Sequence, residues 1–165
     1  MTYSHSIKKA IQSHFEKEGW NYSFDEEDAV FRAGMRFGGK LKRCDIKAYI
    51  DNDHYLVYGE IAVGAVTDNI QAVAEYLHRV NCRLKYGSFE FDYDDGAIRF
   101  KVFTDCGDNC DCIPSSSVIE RNLEMPAIMF EKYGDGLLSV LFGYAPPIVA
   151  LQAIQERENQ DEANA

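Results

Sequence analysis

The sequence predicts an α+β fold in which an antiparallel sheet of about five strands packs with one face against helices. Apolar residues follow a helical period in residues 6–18 and again from residue 70, and a period of two in the segments that follow each of these. Short polar or glycine-containing turns separate the period-two segments, which is typical of antiparallel strands. The order of elements along the chain is therefore αβββαββα.

The first half of the chain predicts one helix and a three-stranded meander. The helix covers residues 6–18 and ends at Gly19, with apolar residues at helical spacing. The polar segment Asp51–Asp53 is a turn between two segments of alternating apolar and polar residues. The three predicted strands cover residues 31–37, 44–50 and 54–63.

A glycine-rich segment between the first two of these strands, GMRFGGK at residues 34–40, has the letters of a P-loop. A P-loop needs a Ser or Thr after the lysine to hold magnesium, and a helix that begins there. Leu41 stands at the hydroxyl position, and a strand pattern follows. We therefore interpret Gly38-Gly39 as a hairpin turn and exclude nucleotide binding.

The second half predicts a helix, a hairpin and a last helix. Asp68 is the expected N-cap of the second helix, and Gly87 is its expected end. Residues 88–104 form the hairpin around an Asp95-Gly96 turn, and Ser117 with Glu120 makes a capping box for the last helix. Pro126 lies inside that helix and should kink or divide it. The sequence contains no internal repeat.

Residues 1–145 are expected to form a single α+β domain. Pro146 and Pro147 interrupt the chain, so residues 146–165 are expected to form a C-terminal helical extension with an acidic, partly disordered tail. The first residues lack the apolar core of a secretory signal, which predicts a cytoplasmic protein.

The charge balance limits the partners. A net charge of -10 repels nucleic acid and anionic membrane surfaces on average, so neither is an expected partner. The odd number of cysteines, 5, in a domain with an ample core predicts reduced thiols and not a disulfide framework. Cys44 and Cys82 lie in apolar-periodic segments and are expected to be buried.

One stretch, TDCGDNCDCIPSS at residues 104–116, could carry metal or redox chemistry. Its thiols Cys106, Cys110 and Cys112 could supply three zinc ligands, but a tetrahedral site needs a fourth, and interleaved aspartates raise thiol pKa values. An acidic connection between the hairpin and the last helix is the other interpretation, and it is favoured. No metal or other cofactor is therefore expected.

No residue set in the chain predicts a reaction. The histidines His5, His14, His54 and His78 are scattered, with none of the spacings that a zinc hydrolase needs, and helix flanks should expose His14 and His78. The acidic clusters DEED and DYDD are typical of solvated turns. We therefore expect a protein that is not an enzyme.

The outer face of the sheet is the candidate binding surface. If one set of alternating residues packs on helices, the other set faces outward, and it includes Tyr49, Leu56, Tyr58 and Phe103. These four residues are more apolar and aromatic than a solvated face requires, as in a partner or dimer surface. A plain solvated face with paired charges is the alternative.

The chain resembles the bacterial YbjN-like proteins, which have a type III secretion chaperone-like fold. Two segments carry the resemblance, AVAEYLHRVNCRLKYGSFEFDYDDGAIRFKVFT at residues 72–104 and VIERNLEMPAIMFEKYGDGLLSVLFG at residues 118–143. The order of elements from Ser6 to Gly143 is similar throughout, whereas the cysteine stretch and the Pro146-Pro147 extension lie outside the pattern. The resemblance implies a noncatalytic protein that dimerises or holds another polypeptide, with no catalytic residue to transfer.

The sequence thus predicts a protein-binding, chaperone-like or regulatory module that acts through a sheet face or a dimer surface. Its expected partners are an unidentified polypeptide and a second copy of the chain. The alternative is a zinc-binding or redox regulatory protein that uses Cys106, Cys110 and Cys112. A small hydrolase or transferase with an unrecognised pocket is a third possibility, supported only by the abundant acidic residues.

Overall fold

An antiparallel sheet with helices on one side makes up the structure, a computed structural model that describes residues 3–65, 68–108 and 112–163. The strands are β1 (Tyr22–Asp25), β2 (Val30–Arg36), β3 (Arg43–Ile50), β4 (His54–Glu60), β5 (Ser88–Phe91) and β6 (Ile98–Asp105). The helices are α1 (His5–Glu18), α2 (Ile70–Asn81), α3 (Ser116–Leu141) and α4 (Pro147–Ala163). The strand order in the sheet is β1-β2-β3-β4-β6-β5, and every neighbouring pair is antiparallel. The predicted fold class is confirmed.

The helices cover the inner face of the sheet. α3 crosses β2, β3, β4 and β6, and α1 reaches the sheet through Phe15, whose ring lies 5.5 Å from that of Phe31. α2 packs beside β5, and α4 packs on α2 and α3. The core between these layers is rich in aromatic residues.

The predicted number of strands, about five, is too low, because β1 was not foreseen. β1 has only four residues, half of them exposed, and it lies between a helix and the acidic segment 25–28 that is typical of a loop. It exists because Tyr22 and Phe24 pack their rings against Phe31 of β2. β4 also ends at Glu60, and not at residue 63.

The second helix is shorter than its apolar pattern. Asn69 and not Asp68 is the N-cap, and the helix ends at Asn81 instead of continuing toward Gly87. The Asn81 side chain donates to the Phe89 carbonyl at 2.9 Å and accepts from the Phe89 N–H at 2.8 Å. This pair of bonds imitates a strand partner, so the end of α2 is tied to β5.

Helix α3 runs unbroken through Pro126, so the predicted division is wrong, whereas a kink at this residue stays a prediction. Its N-cap is Ser115 and not Ser117. Pro126 faces Gly59 of β4, where an added Cβ would lie 2.2 Å from the proline Cβ. The absence of a side chain at Gly59 therefore lets the proline-containing turn of α3 lie directly on the sheet.

Asn122, the residue one turn before Pro126, connects the same helix to the sheet by hydrogen bonds. Its side chain is fully buried and donates to the Tyr55 hydroxyl and the Thr104 hydroxyl, each at 2.7 Å. It also accepts a hydrogen bond from the Tyr86 hydroxyl. All the polar groups of this buried side chain are thus satisfied, which is the condition for burying an amide at low cost.

The glycine-rich segment is a turn between β2 and β3, as predicted. Gly39 has a φ of 73°, and the turn docks on α3 through two backbone donors. The Gly38 N–H donates to Glu131 Oε1 at 3.1 Å and the Lys40 N–H to Asp135 Oδ1 at 2.8 Å. The backbone donors that a P-loop would offer to phosphate are here bound to carboxylates of the same chain.

Of the four exposure predictions for histidines and cysteines, two are wrong and two are confirmed. His14 is buried, 2% exposed, beside Trp20 with its ring centroid 5.9 Å from that of the indole, whereas His78 is exposed as expected. Cys44 is buried as expected, but Cys82 is exposed because α2 ends before it. Periodicity places a residue on a helix face, but only neighbouring elements decide how much of that face is covered.

The C-terminal segment forms helix α4. Ala150, Leu151 and Ile154 of α4 are buried against α2 and α3, so the first half of this helix shares the core of the preceding residues. A partly disordered tail stays a prediction.

None of the helices in the described residues has the length and apolar character that a membrane crossing requires.

Candidate functional site: the outer face of the sheet

The four predicted surface residues lie on the face of the sheet opposite the helices. Tyr49 of β3 is directly opposite Leu56 of β4, and Leu56 is directly opposite Phe103 of β6. Tyr58 follows two residues after Leu56, and its ring centroid lies 6.0 Å from that of Tyr49 at 81°. Directly opposite residues share a face of the sheet, so the four form one apolar row across β3, β4 and β6, the central part of the sheet.

The exposure of this apolar row is uneven. Phe103 is 58% exposed, whereas Tyr49, Leu56 and Tyr58 are half-buried by one another and by their neighbours. Phe103 has the His54 ring on one side, with centroids 5.3 Å apart and an interplanar angle of 36°. A large aromatic ring with more than half of its surface in water is the feature of this face that folding leaves without packing.

Two further residues belong to the same surface and were missed by sequence reasoning. Val30 of β2 is directly opposite Tyr49 and is fully buried, although it lies on the outward side of its strand. His54 flanks Phe103 and has its Nδ1 2.7 Å from Asp53 Oδ1. The pairing register between strands places these two residues beside the apolar row, and alternation within a single strand does not reveal that register.

Ion pairs occupy the next positions along the strands. Lys47 Nζ lies 2.5 Å from Glu60 Oε2, and the other carboxylate oxygen of Glu60 lies 3.2 Å from Arg99 Nε. Lys101 Nζ lies 2.6 Å from Glu90 Oε1, and this hydrogen bond raises the pKa of Lys101. The charges beside the apolar row are therefore paired within the chain, and they form a polar border around it.

A shallow concavity of about 470 Å³ lies on this face between β1 and β3. Arg32, Arg43 and Lys47 contribute its cations, and Gly34 forms part of its floor. A Cβ at Gly34 would lie 2.6 Å from a guanidinium nitrogen of Arg43, so the glycine lets that side chain lie across β2. Arg43 is paired with Asp45 at 2.9 Å. The concavity is open and its two arginines are exposed, which suits contact with a surface better than enclosure of a substrate.

The cysteine stretch begins where β6 ends. Cys106 is fully buried, and its N–H donates to the Asp53 carbonyl at 2.7 Å. Cys112 is exposed, and its N–H donates to the Cys106 carbonyl at 2.9 Å. Cys110 lies outside the described residues. Among the residues that are described, no group of three metal-binding side chains comes together, and the zinc alternative finds no support there.

Two solved structures are among those to which the chain is similar, whereas no family model and no curated protein matches it. The first is the ExsC–ExsE complex, at 15% identity and a TM-score of 0.45 over 79% of this chain and 95% of that chain. The second is YbjN from E. coli, a candidate transcription regulator, at 9% identity and a TM-score of 0.46 over 94% of this chain and 97% of that chain. The YbjN resemblance stated from the sequence thus recurs in the structure, at a level that carries no argument about function.

Proposed function

We propose that this chain is a noncatalytic protein-binding module that holds another polypeptide on the outer face of its sheet. The observation that carries the proposal is Phe103 of β6, an aromatic side chain 58% exposed, which pairs with Leu56 of β4 and lies beyond the residues that pair with β5, on the face of the sheet opposite the helices. Exposed aromatic residues are typical anchors of protein interfaces.

The surroundings of Phe103 support this function. Leu56 and Tyr49 extend the apolar surface on one side, so a partner side chain placed there would meet continuous apolar contact. Each 100 Å² of apolar surface removed from water contributes about 2.5 kcal/mol before the costs of association. The neighbouring charges of Lys47, Glu60 and Arg99 already pair with one another, so a partner need not leave them unpaired when it binds.

The finer parts of the proposal concern partner and compartment. The polypeptide partner is unidentified, and a chaperone-like or regulatory role would follow from its identity. The cytoplasm is the proposed compartment, because an odd number of cysteines in a chain with an ample core is typical of a reducing environment. The proposal includes no enzymatic activity, since the concavity on this face is open and the charged residues Arg43 and Lys47 that line it pair with carboxylates of the same face.

The test is capture of partners by matched variants of the full chain. Wild type, Phe103→Glu and Tyr93→Glu are immobilised and exposed to the same lysate, and bound proteins are compared by quantitative mass spectrometry. Tyr93 is the control, because it is 54% exposed but lies in the turn after β5, away from the apolar row. We expect a partner that wild type and Tyr93→Glu retain and that Phe103→Glu loses at least about tenfold.

Equal capture by wild type and Phe103→Glu, with both variants folded by circular dichroism, would contradict the proposal. A purified partner identified in this way should then bind wild type and Tyr93→Glu with the same Kd. Loss of binding by both variants would assign the contact to something other than the apolar row and would also count against it.

A further inference from the structure

The segment from Val30 to Ile50, which forms β2, β3 and the turn between them, is basic in an otherwise acidic chain. It contains six of the 17 Lys and Arg residues, but only one of the 27 Asp and Glu residues, Asp45. Six cations and one carboxylate give the segment a net charge of +5, so the rest of the chain has a net charge of -15. A local charge of opposite sign to the whole is typical of a surface that attracts a charged partner.

The pairing register brings the cations of β2 and β3 together on the outer face. Arg32 is directly opposite Lys47, and Arg36 is directly opposite Arg43. The carboxylate of Asp45 lies between these two pairs along β3. Like charges directly opposite each other destabilise a sheet. Two such pairs have no benefit for folding, whereas an anion bound beside them would relieve the repulsion.

The carboxylates of the chain neutralise these four cations unequally. Three of the cations form ion pairs, Arg43 with Asp45 at 2.9 Å, Lys47 with Glu60 at 2.5 Å and Arg32 with Asp28 at 3.8 Å. Arg36 is exposed and forms no ion pair with any residue that the structure describes. An incoming carboxylate would therefore neutralise Arg36 without breaking an existing pair.

The four cations line a groove made of two connected concavities. The concavity of about 470 Å³ between β1 and β3 has Arg32, Arg43 and Lys47 in its lining. A second concavity, of about 500 Å³, has Arg36 and Arg43 in its lining. Gly34 lines both, so the two concavities meet at β2. We call the four cations and the surface between them the basic groove.

The basic groove adjoins the apolar row at one end and is open at the other. Lys47 is directly opposite Tyr58, which belongs to the apolar row. β1 pairs with β2 only as far as Tyr22 and Ala33, so none of the described strands lies beside Arg36 on that side. One extended segment could therefore lie on the apolar row and continue into the basic groove.

We propose that the basic groove binds an acidic segment of the polypeptide that the apolar row holds. The inference rests on the proposed function and adds the chemistry of the partner, which combines apolar side chains with neighbouring Asp and Glu side chains. Three of the four cations are arginines, whose guanidinium groups can bind a carboxylate through two parallel hydrogen bonds. A carboxylate beside Arg36 would also offset its repulsion from Arg43.

The surroundings of the basic groove favour a short acidic segment over a nucleic acid. A nucleic acid has a negative charge at every phosphate, so it would extend from the groove toward the rest of the chain, whose net charge is -15. Asp45 and Glu124 also line the two concavities and would repel a phosphate backbone. A polypeptide can place neutral residues beside these two carboxylates.

The first test is the binding of defined probes to the full chain, measured by fluorescence anisotropy in about 0.1 M salt. The probes are a labelled peptide of alternating Glu and Ser residues, the same peptide with Gln in place of Glu, and an oligothymidylate of the same length. We expect wild type to bind the Glu peptide at least about tenfold more tightly than the Gln peptide, and also more tightly than the oligothymidylate.

Arg36→Glu and Arg83→Glu are the matched variants. Both replace an exposed arginine and change the net charge from -10 to -12, but Arg83 precedes β5, at the edge of the sheet far from the groove. At about 0.1 M salt, exposed charges more than about 10 Å apart are largely screened. We therefore expect only Arg36→Glu to weaken binding of the Glu peptide, by at least about tenfold, with both variants folded by circular dichroism.

Three results of these titrations would overturn the inference. They are equal binding of the Glu peptide by the two variants, equal binding of the Glu and Gln peptides by wild type, and tighter binding of the oligothymidylate than of the Glu peptide. Self-association in analytical ultracentrifugation that Arg36→Glu reduces and Arg83→Glu does not would also overturn it, because the groove would then hold a second copy.

The capture experiment separates this inference from the proposed function. Arg36→Glu and Arg83→Glu are immobilised beside wild type and Phe103→Glu. A partner that Phe103→Glu loses and Arg36→Glu retains would leave the apolar row as a binding surface and overturn the inference alone. A partner that Arg36→Glu loses and Phe103→Glu retains would contradict the proposed function. Together with the peptide titrations, loss by both of these variants and retention by Arg83→Glu is the expected result.

Discussion

The inner and outer faces of the sheet both arise because side chains alternate along each strand, but the two faces tolerate substitutions differently. At the inner face, α3 leaves no room for a side chain at Gly59. The side chain of Asn122, which belongs to α3, already uses its hydrogen-bonding groups to bind residues of the sheet. On the outer face, Gly34 and Glu60 have neighbours that are flexible charged side chains. Substitutions on the inner face are therefore limited by close packing, whereas the fold leaves room for substitutions on the outer face.

The difference has a physical cause that is visible in two glycines. A Cβ at Gly59 would meet the ring of Pro126, which is held by a buried helix, whereas a Cβ at Gly34 would meet only the guanidinium of Arg43, which can move into water. A Cβ at either glycine would be crowded by a neighbouring side chain, but only on the outer face can that side chain move away at a small cost in free energy.

The largest expected effect is on the inner face. Gly59→Ala should lower the free energy of unfolding by about 2 to 3 kcal/mol, because α3 must move away from β4 to admit the new methyl group. Gly34→Ala is the matched control and should change stability by less than about 1 kcal/mol. Urea unfolding of both variants measures this. Equal losses would mean that the two faces do not differ in the way described.

The next effect concerns the buried amide that ties α3 to the sheet. Asn122→Ala should cost about 1 to 3 kcal/mol, since the Tyr55 hydroxyl and its neighbours lose a partner in a buried place. Adding Tyr55→Phe to Asn122→Ala removes one of the orphaned groups. The double variant should therefore lose less than the sum of the two single variants in urea unfolding, and strict additivity would exclude this account.

A third prediction concerns how the free energy of unfolding depends on pH through a buried thiol of the inner face. Burial raises the pKa of the Cys44 thiol, on the inner face, from 9.0 to about 12. A thiol with a raised folded-state pKa contributes stability that is fully present below about pH 9, where both states are protonated. That contribution is lost as the pH rises toward 12, by up to about 1.4 kcal/mol per pH unit, because the unfolded state ionises first.

Cys44→Ala should therefore have a flatter stability profile than wild type above pH 9, whatever other groups titrate there. The difference between the two profiles isolates the thiol. In the folded wild type at lower pH, the exposed Cys82 should react with a thiol reagent much faster than Cys44. Parallel stability profiles, or equal labelling of the two thiols, would contradict this.

The smallest effect belongs to the outer face. Glu60→Gln removes the pairs with Lys47 and Arg99, whose side chains are each partly exposed, and should cost no more than about 1 kcal/mol at low salt. The cost should shrink in about 1 M salt, because exposed pairs are screened. A larger, salt-independent cost in thermal unfolding would place this ion pair among the interactions that hold the fold.

Much of the fold and the members of the apolar row could be predicted from periodicity. Alternation along β3, β4 and β6 is enough to place Tyr49, Leu56, Tyr58 and Phe103 on one side of their strands, because side chains in a strand point alternately to two faces. The Asp95-Gly96 turn and the end of α1 at Gly19 likewise depend on residues that are neighbours in the chain.

Several of the predictions that failed depend on contacts between different elements of the structure. α2 ends at Asn81, whose amide binds Phe89 of β5, and α3 packs directly on the sheet at Pro126 because the facing β4 residue is Gly59. Likewise, β1 pairs with β2 because the rings of Tyr22 and Phe24 pack against Phe31.

The sequence by itself therefore determined the types and order of most elements and which residues face outward, since these follow from local spacing. Only the tertiary structure decided the register that joins Tyr49, Leu56 and Phe103 into one row. It also decided that Phe103 stays largely exposed whereas His14 is buried, since both depend on which surfaces meet in space.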